Sequence, residues 1–564
     1  MKPLPHLYPA LEDWPIYHLS KDRRKFVKEI EEFTFEKFVN ASPEDTRELL
    51  ATTIYLERIR IKEEPWKVDP PNEKQFWNKI RKYLSTNSGE AKEDKSKELN
   101  DSLIQKIIHR YAEEIVGTFQ VAQFRFARRA LTFFFNRLLN TAADRTIKSL
   151  FRGKRQLHDS LKVSGPLDQI RGLFDKGTVV VVPTHFSNLD SIMVGYAMDQ
   201  IVGLPSFSYG AGLNLYNTGW AAFFMNRLGA YRVDRRKKNN IYLETLKSMS
   251  TISMTRGVNT LFFPGGTRSR SGAIEKKLKM GLLSTVLESQ QILCAARSEK
   301  KVFVVPLVIS YHFVLEAAFL IEQHLKITGK EKYFQGKDAS KSFRQWIKFA
   351  WDLFSQHSDI YLSFGKPMDV VGNFVDEEGN SFDRWNTKID IKDYFISQGK
   401  VKKDKQRDSE YTRILSEKIV DRFHVENIVL SSHIVAFVGF EILQANNENL
   451  DLYSLLHLPD EDYSFPYGTF FEAVEKFREI LLQFEKNDKL KLSDDVKGDI
   501  SKLIKDGITF LGTFHINKPL RFNKEGDLVS DDFHVLHFYA NRLSGYDLEN
   551  QIRWGDFKIN VVET

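Results

Sequence analysis

The chain has 564 residues, of which 42% are hydrophobic and 28% charged, proportions that suit a globular protein large enough for several domains and at least one sizeable core. Lys+Arg number 82 and Asp+Glu 75, a formal charge of +7 that permits contact with phosphates or lipid headgroups; no basic tract is interleaved with aromatics, which argues against nucleic acid as a partner. The one cysteine, Cys294, excludes an intrachain disulfide framework, points to a reducing compartment and reads as a small buried hydrophobe.

Met1–His6 lacks the apolar run of a signal peptide. Residues 1–150 are expected to be helical. Phe26, Val27, Ile30 and Phe33 recur at helical spacing among charges, as do Leu103-Ile104, Ile107-Ile108 and Tyr111-Ala112. Residues 85–100, rich in Ser, Asn, Lys and Glu, have little to bury and read as a mobile loop.

The pattern then changes. Short apolar runs at 179–182, 261–263, 302–305 and 360–364 read as buried strands, alternating with helix candidates near 189–200, 219–228, 240–256 and 279–290. This predicts an α/β domain over 151–395, with a mostly parallel central sheet flanked by helices. A basic stretch at 396–410 reads as a linker to a mainly helical region, 410–564. That region contains a hairpin near 520–535, turning at Lys524–Asp527. Ile428–Leu443 is the nearest approach to a membrane span. It falls short of the ~20 apolar residues required and is interrupted by Ser431, Ser432, His433 and Glu441, so it reads as a buried or interfacial helix.

Four segments carry chemistry. In Thr184–Asp190, His185 follows an apolar strand, and Asp190 falls in the first turn of the next helix. Ser187 or Asn188 would cap that helix. An imidazole oriented by a carboxylate can take a proton from an attacking hydroxyl. The spacing alone is weak: His457…Asp462 repeats it in an acidic loop with no strand before it. In Phe263–Gly272, Gly265 and Gly266 let backbone N–H groups approach a ligand, Arg268 can grip a phosphate through two parallel bonds, and Thr267, Ser269 and Ser271 add hydroxyls. In Arg227–Arg236, Arg235 is either a second phosphate ligand or a strand-edge arginine paired with Asp234. In Val304–Val308, Pro306 suggests a strand edge or bulge, although core packing is the better reading of those residues alone. Gly210-Ala211-Gly212 lacks the rest of a dinucleotide fingerprint.

Taken in order, His185/Asp190, Asp234-Arg235, Gly266-Thr267-Arg268-Ser269 and Val305-Pro306 resemble the four motifs of the glycerolipid acyltransferases. The chain is more similar to the large glycerol-3-phosphate and dihydroxyacetone-phosphate enzymes, through Ala211–Leu215, Arg227–Ala230, Arg268–Gly272, Val305–Glu316 and His537–Leu543. The resemblance implies transfer of a fatty acyl group from acyl-CoA or acyl carrier protein to the 1-hydroxyl of glycerol 3-phosphate. The alternatives are dihydroxyacetone phosphate or 1-acylglycerol 3-phosphate as acceptor, or a non-catalytic lipid-binding relative. His185 and Asp190 would be catalytic. Arg235, Arg268, Ser269 and Arg270 would hold the phosphate, with Gly265, Gly266, Thr267 and Pro306 supporting. No metal or redox cofactor is implied, and the protein would sit peripherally on the cytoplasmic face of a membrane. The chain departs from the pattern at Phe186, where the family usually has arginine, and at Gly265, where it usually has glutamate.

Overall fold

The computed structural model describes residues 2–66, 68–86, 93–143, 160–213, 227–328, 359–459, 463–513 and 515–561. The N-terminal part is helical, as expected. Its main helices are α1 (Pro15–Lys21), α2 (Arg23–Glu36), α3 (Pro43–Glu63), α4 (Glu73–Thr86), α5 (Glu93–Ile115) and α6 (Val121–Ala143). Residues 93–100, expected in a mobile loop, are the first turns of α5 instead. Asn100 is buried there and bonds the Pro43 carbonyl at 3.3 Å, so packing overrides the polar composition.

A seven-stranded sheet follows, made of β1 (Leu161–Ser164), β2 (Gly177–Pro183), β3 (Ser208–Gly212), β4 (Ala230–Val233), β5 (Thr260–Leu261), β6 (Lys301–Ser310) and β7 (Ile360–Phe364), in the order β1-β7-β6-β2-β5-β3-β4. Strands β6, β2, β5, β3 and β4 run parallel; β7 and β1 run the other way. The valine run of β2 is buried on both faces, as a central parallel strand requires. Helices α7 (Asp190–Gln200), α8 (Asn240–Thr255) and α9 (Met280–Ala295) match three of the four expected helices. The fourth, near 219–228, lies almost wholly outside the described residues. Among the strands, β1, β3 and β4 were not anticipated.

Pro306 is not at a sheet edge. It lies inside β6, paired with Val182 of β2. Its missing N–H is tolerated because β6 is not continuously laddered on its other side. Val304 pairs there with Met368, the β7 ladder starts only at Leu307, and the Pro306 carbonyl accepts from Gly365 N at 2.8 Å.

Residues 396–410 are likewise no extended linker. Ile396–Ser397 and Lys400–Val401 form a small antiparallel hairpin, and α10 (Lys405–Val425) begins directly after it, capped by Asp404. α10 packs on α9 and β6, and one apolar cluster runs unbroken from Leu161 to Phe557. Helix α11 (Ser431–Ala445) is buried along nearly its whole length. The expected hairpin is present, with Arg521–Phe522 against Leu528–Val529. Among the described residues, no helix is long and apolar enough to cross a membrane.

The N-terminal helices pack on α8 through a second cluster. Beside it lies a chain of buried charges. Arg60 meets Glu57 at 2.7 Å, Asp69 at 3.2 Å, and Glu73. Glu73 also takes Arg110, and Lys237 pairs with Glu114. Asn239 donates to Glu57 at 2.8 Å and, through its own side-chain oxygen, caps α8. The loop between β4 and α8 is therefore anchored by residues more than a hundred positions away. Replacing Arg60 by Ala removes the cation that two buried carboxylates share, leaving Glu57 with only the neutral Asn239 and Tyr111, and Glu73 with Arg110 and Trp77. A loss of roughly 3–5 kcal/mol in unfolding free energy is expected, read from denaturant melts against Lys28→Ala, which breaks only an exposed pair.

Candidate active site

Because β2, β3, β4 and β5 are parallel, their carboxyl ends share one edge of the sheet, where open α/β sheets bind ligands. His185 follows β2, Gly212 ends β3, Arg235 follows β4, and Phe263, Thr267, Arg268 and Arg270 follow β5. All of them line one cavity of about 170 Å³, together with Asn188, Ser191, Tyr209 and Gln323. His185, Arg235 and the Arg268/Arg270 pair, well separated in sequence, are thus brought to one cavity.

His185 Nδ1 lies 2.7 Å from Asp190 Oδ2. The same oxygen accepts from the Phe186 and Ser187 amides at 2.7 and 3.0 Å, and Oδ1 accepts from the Tyr311 hydroxyl at 2.8 Å. Asp190 is wholly buried, whereas His185 keeps 16% of its side chain open. Its ring stacks on Phe263 at 4.1 Å. Nδ1 is committed to the carboxylate, so Nε2 is the nitrogen left for the cavity. No side-chain hydroxyl bonds the imidazole among the described residues.

Capping differs from expectation. Leu189 precedes α7 without a side-chain cap, and Ser187 Oγ donates to Glu316 at 3.1 Å. Glu316, also buried, accepts from the Asn188 amide at 3.2 Å and from Arg268 at 3.0 Å. Burial pushes its carboxyl upward, and the Arg268 charge pulls the other way. Arg268 is therefore held in place by a buried carboxylate. Arg236, not Arg235, pairs with Asp234, at 2.8 Å; it also stacks on Trp66 at 4.1 Å. Arg235 makes no ion pair among the described residues. Its surface stays open to solvent, yet protein crowds it closely enough that desolvation lowers its pKa, and the charges of Arg268 and Arg270 push the same way. A site that strains a cation in this way favours an anion.

Ser269 does not line this cavity. Its amide donates to the His185 carbonyl at 2.7 Å and its hydroxyl to the Ala273 carbonyl at 2.7 Å, so it ties the arginine loop to the histidine turn. Gly265, Gly266 and Pro306 also stay out of the lining. Gly266 is in the left-handed region, at φ +78°, and gives the loop its turn. A Cβ on Gly265 would lie 2.8 Å from Glu275 Oε1, so the second residue at which the chain departs from the acyltransferase pattern is where a carboxyl approaches. At the first, the guanidinium of Arg542 lies 4.0 Å from the Phe186 ring centre. Tyr311, Glu316, Glu275 and Arg542 were given no role by sequence reasoning; Tyr311, Glu316 and Arg542 lie in segments quoted only for family likeness. His457 bonds the nearby Tyr453 carbonyl at 2.8 Å, and Asp462 lies outside the described residues. Cys294 is buried, as expected.

Residues 151–310 match the family model described as Acyltransferase. The glycerol-3-phosphate acyltransferase of Shewanella loihica is 24% identical over 466 residues, 79% of this chain and 50% of that protein. The protein of the same name from Shewanella pealeana is 24% identical over 464 residues, with the same coverage of both chains. That of Pseudoalteromonas atlantica is 23% identical over 309 residues, 54% of this chain and 33% of that one. The chain thus spans half or less of the length of these curated relatives.

The strained arginine cluster gives a direct test. Inorganic phosphate at tens of millimolar should raise the thermal midpoint more than chloride of equal ionic strength, and Arg235→Ala should remove most of that difference. A phosphate shift that persists in Arg235→Ala would show that the anion binds elsewhere.

Proposed function

We propose that this protein transfers a fatty acyl group from a thioester, on coenzyme A or acyl carrier protein, to the 1-hydroxyl of glycerol 3-phosphate; the Acyltransferase match over residues 151–310 and the likeness to glycerol-3-phosphate acyltransferases support this reading. The observation that carries this reading is one cavity that joins a carboxylate-held imidazole to three arginines and has no acidic side chain in its described lining.

The acceptor's phosphate would lie against Arg235, Arg268 and Arg270, with Thr267 as an added donor. Its hydroxyl would face His185 Nε2, which takes the proton as the oxygen attacks the thioester carbonyl. Asp190 fixes the tautomer and stabilises the imidazolium. The tetrahedral intermediate collapses with cleavage of the carbon–sulfur bond. The departing sulfur takes the proton back from His185, which restores the neutral ring. The steps use no metal or redox cofactor. The substrate hydroxyl would be the nucleophile. The second substrate, a fatty acyl thioester, and a lipid product fit peripheral attachment to the cytoplasmic face of a membrane through amphipathic surfaces, without a spanning helix.

The purified protein should acylate glycerol 3-phosphate from acyl-CoA or acyl-ACP, and His185→Ala should lower kcat by about 10²–10⁴-fold. A panel with dihydroxyacetone phosphate, 1-acylglycerol 3-phosphate and unphosphorylated glycerol assigns the acceptor. Full activity of His185→Ala would refute the mechanism. Lipid binding without turnover of any acceptor would favour a non-catalytic relative.

A further inference from the structure

Behind the histidine turn, outside the lining of that cavity, lie a half-buried glutamate, Glu275, and a buried arginine, Arg542. Glu275 lies in the loop before α9. Its Oε1 accepts from the His185 amide at 3.4 Å and fills the space left by the missing side chain of Gly265. Its Oε2 is buried with no partner among the described residues. Arg542 comes from the C-terminal tail and is only 4% exposed. It stacks on Phe186, donates to the Ile309 carbonyl and the Ser310 hydroxyl of β6 at 2.8 and 3.0 Å, and donates to Asn427 at 2.8 Å.

Arg542 has no direct ion pair among the described residues; the side chains and carbonyl that accept from it are neutral. Its charge acts at longer range on Glu275, Asp190, Tyr311 and Tyr546. It also disfavours protonation of His433 on α11 and His424 on α10, which burial already opposes. Burial lowers the pKa of Arg542 to about 10, so it remains a cation at neutral pH. A buried cation with no contacting carboxylate is costly, and here its hydrogen bonds and its longer-range attraction to carboxyls offset that cost. The two carboxyls it faces hold the two ends of one turn: Asp190 binds the imidazole and the amides of Phe186 and Ser187, and Glu275 binds the amide of His185.

We propose that Arg542 and Glu275 are positioning residues that hold the His185 turn from behind, so that the tail is a working part of the site. Neither touches the cavity that would receive substrate; both act through His185. The kinetic part of this proposal rests on the acyltransferase reading, and the structural part is measured without turnover.

The test compares the wild-type protein with Arg542→Met, Arg542→Lys, Glu275→Met and Glu275→Gln. Amide hydrogen exchange over residues 184–190 should be about 10-fold faster in both Met variants. It should stay near wild type in Glu275→Gln, which keeps an acceptor, and be unchanged in β2 and β6 peptides throughout. In acyl transfer to glycerol 3-phosphate, Arg542→Met should lower kcat by about 10–100-fold with KM within about 3-fold, as expected for a displaced general base. Arg542→Lys should recover part of the loss. In a His185→Ala background Arg542→Met should have no further effect, because a residue acting through the imidazole has nothing left to position. Unchanged exchange at 184–190 in both Met variants overturns the proposal, as does an equal proportional loss in the His185→Ala background. If wild type transfers no acyl group, the functional reading fails alone, and the exchange data still decide whether the tail holds the turn.

Discussion

A carboxylate with no access to water must find its hydrogen bonds inside the protein, and Asp190 organises the site around that requirement. Its oxygens take one imidazole N–H, two amides and one phenol. Meeting that demand bends the chain after β2 back over the start of α7. It also leaves α7 without a side-chain cap, since the aspartate that might have served its own helix reaches backward. The phenol comes from Tyr311, just beyond β6. It arrives because β6, paired with β2 as far as Pro183 and Leu307, runs on to Ser310 beside the histidine turn. Glu316 repeats the logic one turn later: a buried acid collects Ser187, Asn188 and Arg268. Two buried acids thus fix both the imidazole and one arginine.

The remaining arginines are placed by topology and by distant charges. Parallel strands bring Arg235 and Arg270 to the edge that holds His185. Arg235 is aimed by its neighbours. Arg236 is locked between Asp234, Asp69 and Trp66, and Lys237 is buried against Glu114. With the residues after it fixed to the N-terminal helices, Arg235 is left facing the cavity. The N-terminal helices therefore bear on the site although none of their side chains is in its described lining.

How much of this could be read in the sequence follows the range of the interactions. Strand β2 is self-evident from four consecutive valines, and His185 and Asp190 are close enough in the chain for their pairing to be inferred. Strands β3 and β4 were missed because Ser208–Gly212 contains two glycines and Ala230–Val233 is short and half polar; the sheet creates them by pairing. Pro306 misled because the rule against proline in a central strand holds only where the partner ladder is continuous. Residues 93–100 misled because a polar composition does not register Asn100 packing against α3. Glu316, Glu275 and Arg542 could not be assigned roles, since each acts on residues tens to hundreds of positions away. The one cue was negative: positions 186 and 265 depart from the acyltransferase pattern, and the structure brings a guanidinium and a carboxyl to those two places from elsewhere in the chain.

Charge also bears on what the cavity accepts. Three guanidiniums line it, and one, Arg268, is already matched by Glu316. Arg235 and Arg270 bring two further positive charges, and Arg235 is disfavoured by the other two. A phosphate monoester carries about −1.5 to −2 charge at neutral pH and offers several acceptor oxygens to planar donors. A carboxylate would answer only half of that charge, and a neutral alcohol none of it. On the proposed reading, the phosphate does more than mark the acceptor as correct. It relieves the repulsion among the arginines, and with the phosphate held there the acceptor's hydroxyl is brought between the arginines and the imidazole. Binding energy from the non-reacting end of the substrate is in this way converted into orientation of the reacting end.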